Sequence, residues 1–321
     1  MSVPQLEQVP VLVTGGAGFI GSHLVDHLVA LGASVRVFDD FSTGLRSNLD
    51  HLDGVEVVEG DLRDADACRR AVDGRRYVFH QAALGSVPRS VADPSTSLAV
   101  NAGGTANLFH AARDAGVERL VYASSSSVYG SSPTLPKRED EVGDVLSPYA
   151  LSKKMCEQLA EIFERCYGLE IIGLRYFNVY GPRQRPDGPY AAVIPRFFDA
   201  YFSGTRPVIY GDGEQSRDFT FVGDAVRANL LASGAPASAC GRAYNVAGGV
   251  RTSLNELWRI VRDLAGGGGE PTYEAPRAGD VRHSLADLSA IEEQLGYRPQ
   301  TPIAEGLAAT CAHFKALSGA A

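Results

Sequence analysis

Short β-branched and aliphatic runs alternate with amphipathic stretches through the first half of this 321-residue chain. The runs at 9–14, 35–39, 55–60, 77–81, 120–124 and 171–176 are brief and largely apolar, the pattern of strands buried on both faces. Helical spacing predicts helices over 18–31, 64–72, 96–115 and 149–167. In the last of these, Leu151, Met155, Leu159, Ile162 and Phe163 recur every three or four residues. Strands alternating with helices imply an α/β fold, a Rossmann-type doubly wound parallel sheet over residues 1–178. Beyond residue 178 Pro and Gly become frequent, and short strands mix with helices at 254–264 and 302–317. Residues 179–321 therefore read as a smaller, mixed α/β substrate region laid over one end of the sheet, with the chain crossing back between the two.

Composition narrows the function. Thirty Lys and Arg against thirty-eight Asp and Glu leave a net charge of −8, which speaks against a general nucleic-acid or anionic-membrane binder. No apolar run approaches the roughly 18 residues of a membrane span. The first residues carry neither a basic segment nor a cleavable apolar stretch, so a cytoplasmic protein is expected. Five widely spaced cysteines form no CxxC pair, which fits buried, reduced thiols and no metal site.

The chemistry begins with Gly15-Gly16-Ala17-Gly18-Phe19-Ile20-Gly21, between a predicted strand and a predicted helix. In that context Gly15 allows a tight turn, Gly18 lets a pyrophosphate approach the backbone, and Gly21 lets helix and strand pack closely. The helix N-terminus then offers unpaired N–H groups to phosphates. Asp39 ends the second strand, where a carboxylate can accept both ribose hydroxyls and repel a 2′-phosphate, so NAD is expected rather than NADP. Asp61, after the third strand, is placed to receive the adenine amino group, with Leu62 beside it. Further on, Ser124–Ser127 precede Tyr149 and Lys153. At i, i+4 the Tyr and Lys share one helix face, and a neighbouring ammonium favours the phenolate, which suits Tyr149 to act as a general base.

Taken together, TGGAGFIGSHL, DDFSTG, EGDLRD, HQAALGSVPRS, ASSSSVYG, SPYALSK, LRYFNVYGPRQ, GDGEQSRDF and RAGDVRHS stand in the order of a known family. Over essentially its whole length the chain resembles extended short-chain dehydrogenase/reductases that modify nucleotide sugars. It most resembles bacterial UDP-N-acetylglucosamine 4-epimerases. The resemblance implies Ser125, Tyr149 and Lys153 as the catalytic set. It implies Ala82, Ala83, Leu84 and Asn101 as NAD contacts, along with Phe19 and Ile20 in the glycine turn. Asn178 and Arg217 would hold the diphosphate, with Arg277 and Asp280 near the uridine and its ribose. Ala192, Val193 and Tyr210 would line the uracil and sugar pocket, with Gly85, Ser86 and Ser126 toward the substrate. A homodimer is implied through the helices at 96–115 and 149–167.

Two departures discriminate within the family. Ser126 and Ser127 stand where 4,6-dehydratases typically carry Asp-Glu, and neither can serve as a carboxyl acid or base. Small Ser284, with Gly85 and Ser86, leaves room for a 2-acetamido group. The expected reaction is C4 oxidation of a UDP-N-acetylhexosamine to a 4-keto sugar, then reduction from the other face, which gives the C4 epimer. The alternative shares the ketone and then eliminates water across C5–C6, with Tyr149 or Cys156 as the C5 base. A non-catalytic NAD-binding interaction protein is a distant third.

Overall fold

The computed structural model describes residues 5–186, 191–276 and 282–319. Six predicted strands form as β1 (Pro10–Thr14), β2 (Ser34–Asp39), β3 (Glu56–Glu59), β4 (Tyr77–His80), β5 (Arg119–Ser125) and β6 (Ile171–Tyr176). A seventh strand, Arg242–Val246, pairs in parallel with β6 and comes from the second half of the chain. The resulting parallel sheet has the order (242–246)-β6-β5-β4-β1-β2-β3.

Side-chain alternation on these strands explains the layers. Val11, Val13, Val37, Phe79, Val121 and Leu174 point to one face, where they pack with Leu24 and Val25 of α1 (Phe19–Ala30). Leu12, Phe38, Val78, Leu120 and Tyr122 point to the other. That second face is covered from α2 (Ala65–Val72), α5 (Gly104–Asp114) and α6 (Pro148–Tyr167), following the short α3 (Val87–Ala92) and α4 (Pro94–Leu98). With period two and both faces apolar, a sheet sandwiched by helices buries β1, β4, β5 and β6, whereas β3, expected to be buried on both faces, is the edge strand and stays largely exposed. α7 (Val193–Phe202), α9 (Leu254–Ala265) and α11 (Ile303–Ser318) build a separate core around Phe197, Phe198, Trp258 and Phe314. Between them in sequence, α8 (Val222–Ser233) returns to the first core, as does α10 (Ser289–Leu295) through Ile291 and Leu295.

Two expectations change, and the face of α6 that the chain's own core covers is settled. The helix expected at 96–115 is interrupted by a π turn at Ala99–Gly103. Leu159 and Phe163 of α6 pack against the chain's own core, whereas Leu151, Met155 and Ile162 are exposed. The five cysteines are all free, but Cys166 is exposed and Cys240 half-buried, so burial holds fully for Cys68, Cys156 and Cys311 alone.

The chain switches winding direction between β1 and β4, which opens a crevice at their C-terminal ends. Beneath it lies buried His80, whose Nδ1 meets Thr14 Oγ1 at 2.7 Å and whose Nε2 meets Thr105 Oγ1 at 2.8 Å. Burial, helped by nearby Lys153, lowers its pKa from 6.5 to about 3. The folded state thus refuses a proton that the unfolded chain takes up near pH 6.5. The stability this contributes is present above that pH and is lost as the pH falls toward about 3. In a histidine NMR titration the His80 ring signals should stay fixed from pH 8 to pH 5; a midpoint near 6.5 would contradict the buried, neutral imidazole.

Candidate active site

The glycine turn follows β1 directly. Gly15 adopts a φ of +67° and lies so close to the end of β4 that a Cβ would sit 2.6 Å from the Ala82 nitrogen. At Gly21 a Cβ would fall 2.0 Å from the Gly15 carbonyl oxygen, so helix and turn touch backbone to backbone. No side chain caps the N-terminus of α1 at Gly18, and no acid stands in its first turn. The orphan N–H groups therefore face a cleft of about 520 Å³, lined by Gly15, Gly18, Phe19, Ile20 and Gly21.

Along this cleft Asp39 is fixed by two backbone donors, Ala17 N to Oδ2 and Phe41 N to Oδ1, each at 2.9 Å. Burial pushes its carboxyl up and those two bonds pull it back. Asp61, Leu62, Ala82, Ala83, Leu84 and Gly85 continue the wall. Hydrogen bonds from Arg63 hold the Asp61 carboxyl below the usual range. An uncapped helix end for the pyrophosphate, a carboxylate for the ribose and a glycine turn with no room for side chains together fit NAD.

Ser125, Ser126, Tyr149 and Lys153 line the same cleft. Ser125 is the last residue of β5 and accepts the Ser127 N–H at 3.2 Å. Ser147 and Pro148 start α6: the serine accepts Ala150 N at 3.1 Å, and the proline needs no partner at the first helical position. Tyr149 follows, its own N–H donated to Ser90 Oγ of α3 at 3.0 Å. One turn on, Lys153 is 5% exposed and donates from Nζ to the Ala123 carbonyl at 2.9 Å. That anchor draws the ammonium toward the end of β5.

A second cavity, of about 690 Å³, adjoins the first; Asn178, Val179 and Gln184 line both. Ala192, Val193, Tyr210 and Arg217 belong to the second. Asn178, at φ +37°, donates to the Asp218 carbonyl at 2.8 Å, and Arg217 Nη1 donates to the Ser216 carbonyl at 3.0 Å. Ser284 stands behind Asn178, its Oγ accepting Asp218 N at 3.3 Å, and it is in neither lining.

Some expected contacts take supporting places instead. Asn101 is buried outside the lining; its Oδ1 accepts Leu84 N at 2.8 Å and its Nδ2 donates to Leu84 O and Ser152 Oγ, so it holds the 82–84 turn against α6. Ser86 caps α3, accepting Arg89 N at 3.2 Å. Cys156 is buried with its Sγ toward Asn101 O at 3.3 Å, and burial pushes its thiol up, which removes it from the candidates for a base in the cleft. Arg277 and Asp280 lie outside the described residues. Gln184, on the seam of the two cavities, was not anticipated; nothing in its spacing marks it, although it closes the LRYFNVYGPRQ segment. Among the described residues no group of three or more His, Cys, Asp or Glu could hold a metal ion, and no helix is long and apolar enough to cross a membrane.

Comparison with known proteins agrees with this geometry. The profile of the NAD dependent epimerase/dehydratase family matches residues 11–247. A UDP-glucose 4-epimerase of Mycolicibacterium smegmatis is 42% identical over 309 residues, 95% of this chain and 98% of its own. Among solved structures, a UDP-N-acetylglucosamine 4-epimerase from Methanobrevibacter ruminantium, in complex with UDP-N-acetylmuramic acid, superposes with a TM-score of 0.92 at 39% identity. It covers 97% of this chain and 99% of its own. A dTDP-glucose 4,6-dehydratase from Streptomyces venezuelae with NAD bound superposes at 0.88 and 36% identity, over 97% and 98%. The cradle that fits NAD, the Ser–Tyr–Lys group in the same cleft and these relatives lead to one conclusion: the chain belongs to the NAD-dependent epimerase/dehydratase family and is an NAD-dependent nucleotide-sugar enzyme.

Proposed function

We propose that the protein interconverts the C4 epimers of a UDP-N-acetylhexosamine through a transient 4-keto sugar. The observation that carries this reading is that Ser125, Tyr149 and Lys153 line one dinucleotide cleft, which shares Asn178, Val179 and Gln184 with a second cavity. Tyr149 takes the C4 hydroxyl proton, and Ser125 hydrogen-bonds the same oxygen. Lys153 stabilises the phenolate while its carbonyl anchor fixes its reach. NAD, held by the glycine turn and Asp39, would supply the acceptor for the C4 hydride and the donor for its return. Rotation of the keto sugar about its diphosphate presents the other face, and Tyr149 then gives the proton back. Asn178 and Arg217 hold the diphosphate through that rotation, and Ala192, Val193 and Tyr210 receive the uracil end. Ser126 and Ser127 supply no carboxyl group for elimination.

Room for the acetamido group comes from Gly85, which lines the cleft and has nothing within 4 Å of where a Cβ would stand. Gly85→Val should therefore lower kcat/KM for UDP-N-acetylglucosamine at least about tenfold relative to UDP-glucose. Equal losses on both sugars in a steady-state assay would contradict an N-acetyl subsite. A second reading keeps the ketone and expels water across C5–C6. It is favoured by the dehydratase relative, which covers this chain as completely as the epimerases do.

The reading includes a homodimer built on α6, whose Leu151, Met155 and Ile162 leave an apolar stripe exposed. It also places the enzyme in the cytoplasm, in keeping with five free thiols.

A further inference from the structure

Behind the Ser–Tyr–Lys group lies a buried ion pair with no part in the chemistry described so far. Glu157 is two helical turns beyond Tyr149 and one beyond Lys153, on the same face of α6. Its side chain is 8% exposed and that of Arg175, on β6, 5%. Arg175 grips it with both arms, Nε to Oε1 at 2.8 Å and Nη2 to Oε2 at 3.0 Å. Ser124 Oγ donates to Oε1 at 2.7 Å. Ser124 and Arg175 are also register partners across β5 and β6, and Ser124 immediately precedes Ser125. One carboxylate thus pins two strand ends to the helix that carries Tyr149 and Lys153.

The grip extends further. Arg175 Nη1 donates to Tyr129 Oη at 3.0 Å, and Tyr129 donates to Asn245 Oδ1 at 2.6 Å. Asn245 sits on the seventh strand and donates from Nδ2 to the carbonyls of Lys137 and Asp287. Removing both charges from water is costly, and an apolar pair of similar volume would stabilise the fold as well or better. What an apolar pair lacks is direction, because a bidentate fork fixes distance and orientation together.

We infer that Glu157, through its fork with Arg175 and its bond from Ser124, is a positioning residue that sets the helix bearing Tyr149 against the strand end bearing Ser125. The inference rests on the proposed reading of those two residues as partners on one substrate oxygen.

Two variants test it. Glu157→Gln keeps the shape but turns one acceptor into a donor facing Arg175. Glu157→Met with Arg175→Met removes the pair without stranding a buried charge, since Lys154, the other cation near Glu157 at 3.5 Å, is 30% exposed and can turn to solvent. This double variant carries the test should the single variant fail to fold. In folded, NAD-loaded protein, kcat should fall at least about tenfold, since small misplacements at a reacting centre are expensive. KM and NAD content should stay within about twofold of the parent. If the pair is only a brace, the double variant will turn over within about twofold of the parent, and that result overturns the inference.

A second readout separates this from the function itself. Tyrosine is labelled with ¹³C at Cζ, and the Tyr149 signal is identified by its loss in Tyr149→Phe. That signal should move in the double variant although Tyr149 is eight residues from the substitution in the helix. An unmoved signal overturns the inference. A parent inert toward UDP-sugars would defeat the proposed function, and the signal would still decide the positioning role.

Discussion

Tyr149→Phe should fold, bind NAD and lose turnover by about a thousandfold, in the range that a positioned acid–base group supplies. The substitution removes one oxygen and leaves the helix start intact. Ser147 still caps Ala150, Ser90 still accepts the residue 149 N–H, and Lys153 still reaches Ala123. Stability and cofactor content should therefore be those of the parent, and the whole loss should fall on kcat. Turnover within a few fold of the parent would remove Tyr149 from the chemistry.

The largest structural effect is expected at Gly21. Its missing Cβ would stand 2.0 Å from the Gly15 carbonyl oxygen and 2.8 Å from its carbon, both backbone atoms that cannot rotate away. Gly21→Ala must push α1 off the end of β1, at a cost of about 3 kcal/mol. The same shift withdraws the α1 N-terminus from the pyrophosphate, so NAD should be lost with it. Gly85→Ala is the control: with nothing within 4 Å it should change stability by less than about 0.5 kcal/mol. Denaturant melts and the absorbance of bound cofactor read both. A Gly21→Ala protein with parental stability and NAD content would contradict the close-packed turn.

How much of this was legible in the sequence depended on the kind of signal. β1, β2 and β4 to β6 announced themselves because strands buried on both faces must be short apolar runs, and helices between them must show a 3.6-residue period. β3, an edge strand left largely exposed, showed only its paired valines. The seventh strand, Arg242–Val246, begins with an exposed Arg and a half-buried Ala, and it lies where Pro and Gly break the rhythm. Its place was set by tertiary pairing with β6. The glycine turn and the Tyr–Lys spacing were readable because backbone contact and helix geometry dictate them locally.

Asn101 was recognised as belonging to the site but not in its place. A π turn rotates this part of the helix, and the side chain meets the Leu84 backbone behind the cleft. Leu159 and Phe163 show the same limit, since periodicity identifies an apolar face without saying whether the chain's own core or a neighbour covers it. Gln184 and the Glu157–Arg175 pair carry no local pattern. Their partners are brought together only by the fold.

The most direct measurement is to incubate the purified protein with UDP-N-acetylglucosamine in D₂O and read the product by proton NMR and mass spectrometry. The account predicts an unchanged mass, inversion at C4 and no deuterium at C5, since only the C4 hydrogen travels to the cofactor and back. A product lighter by one water would contradict epimerisation and place elimination after the ketone, and an untouched substrate would contradict the N-acetylhexosamine assignment.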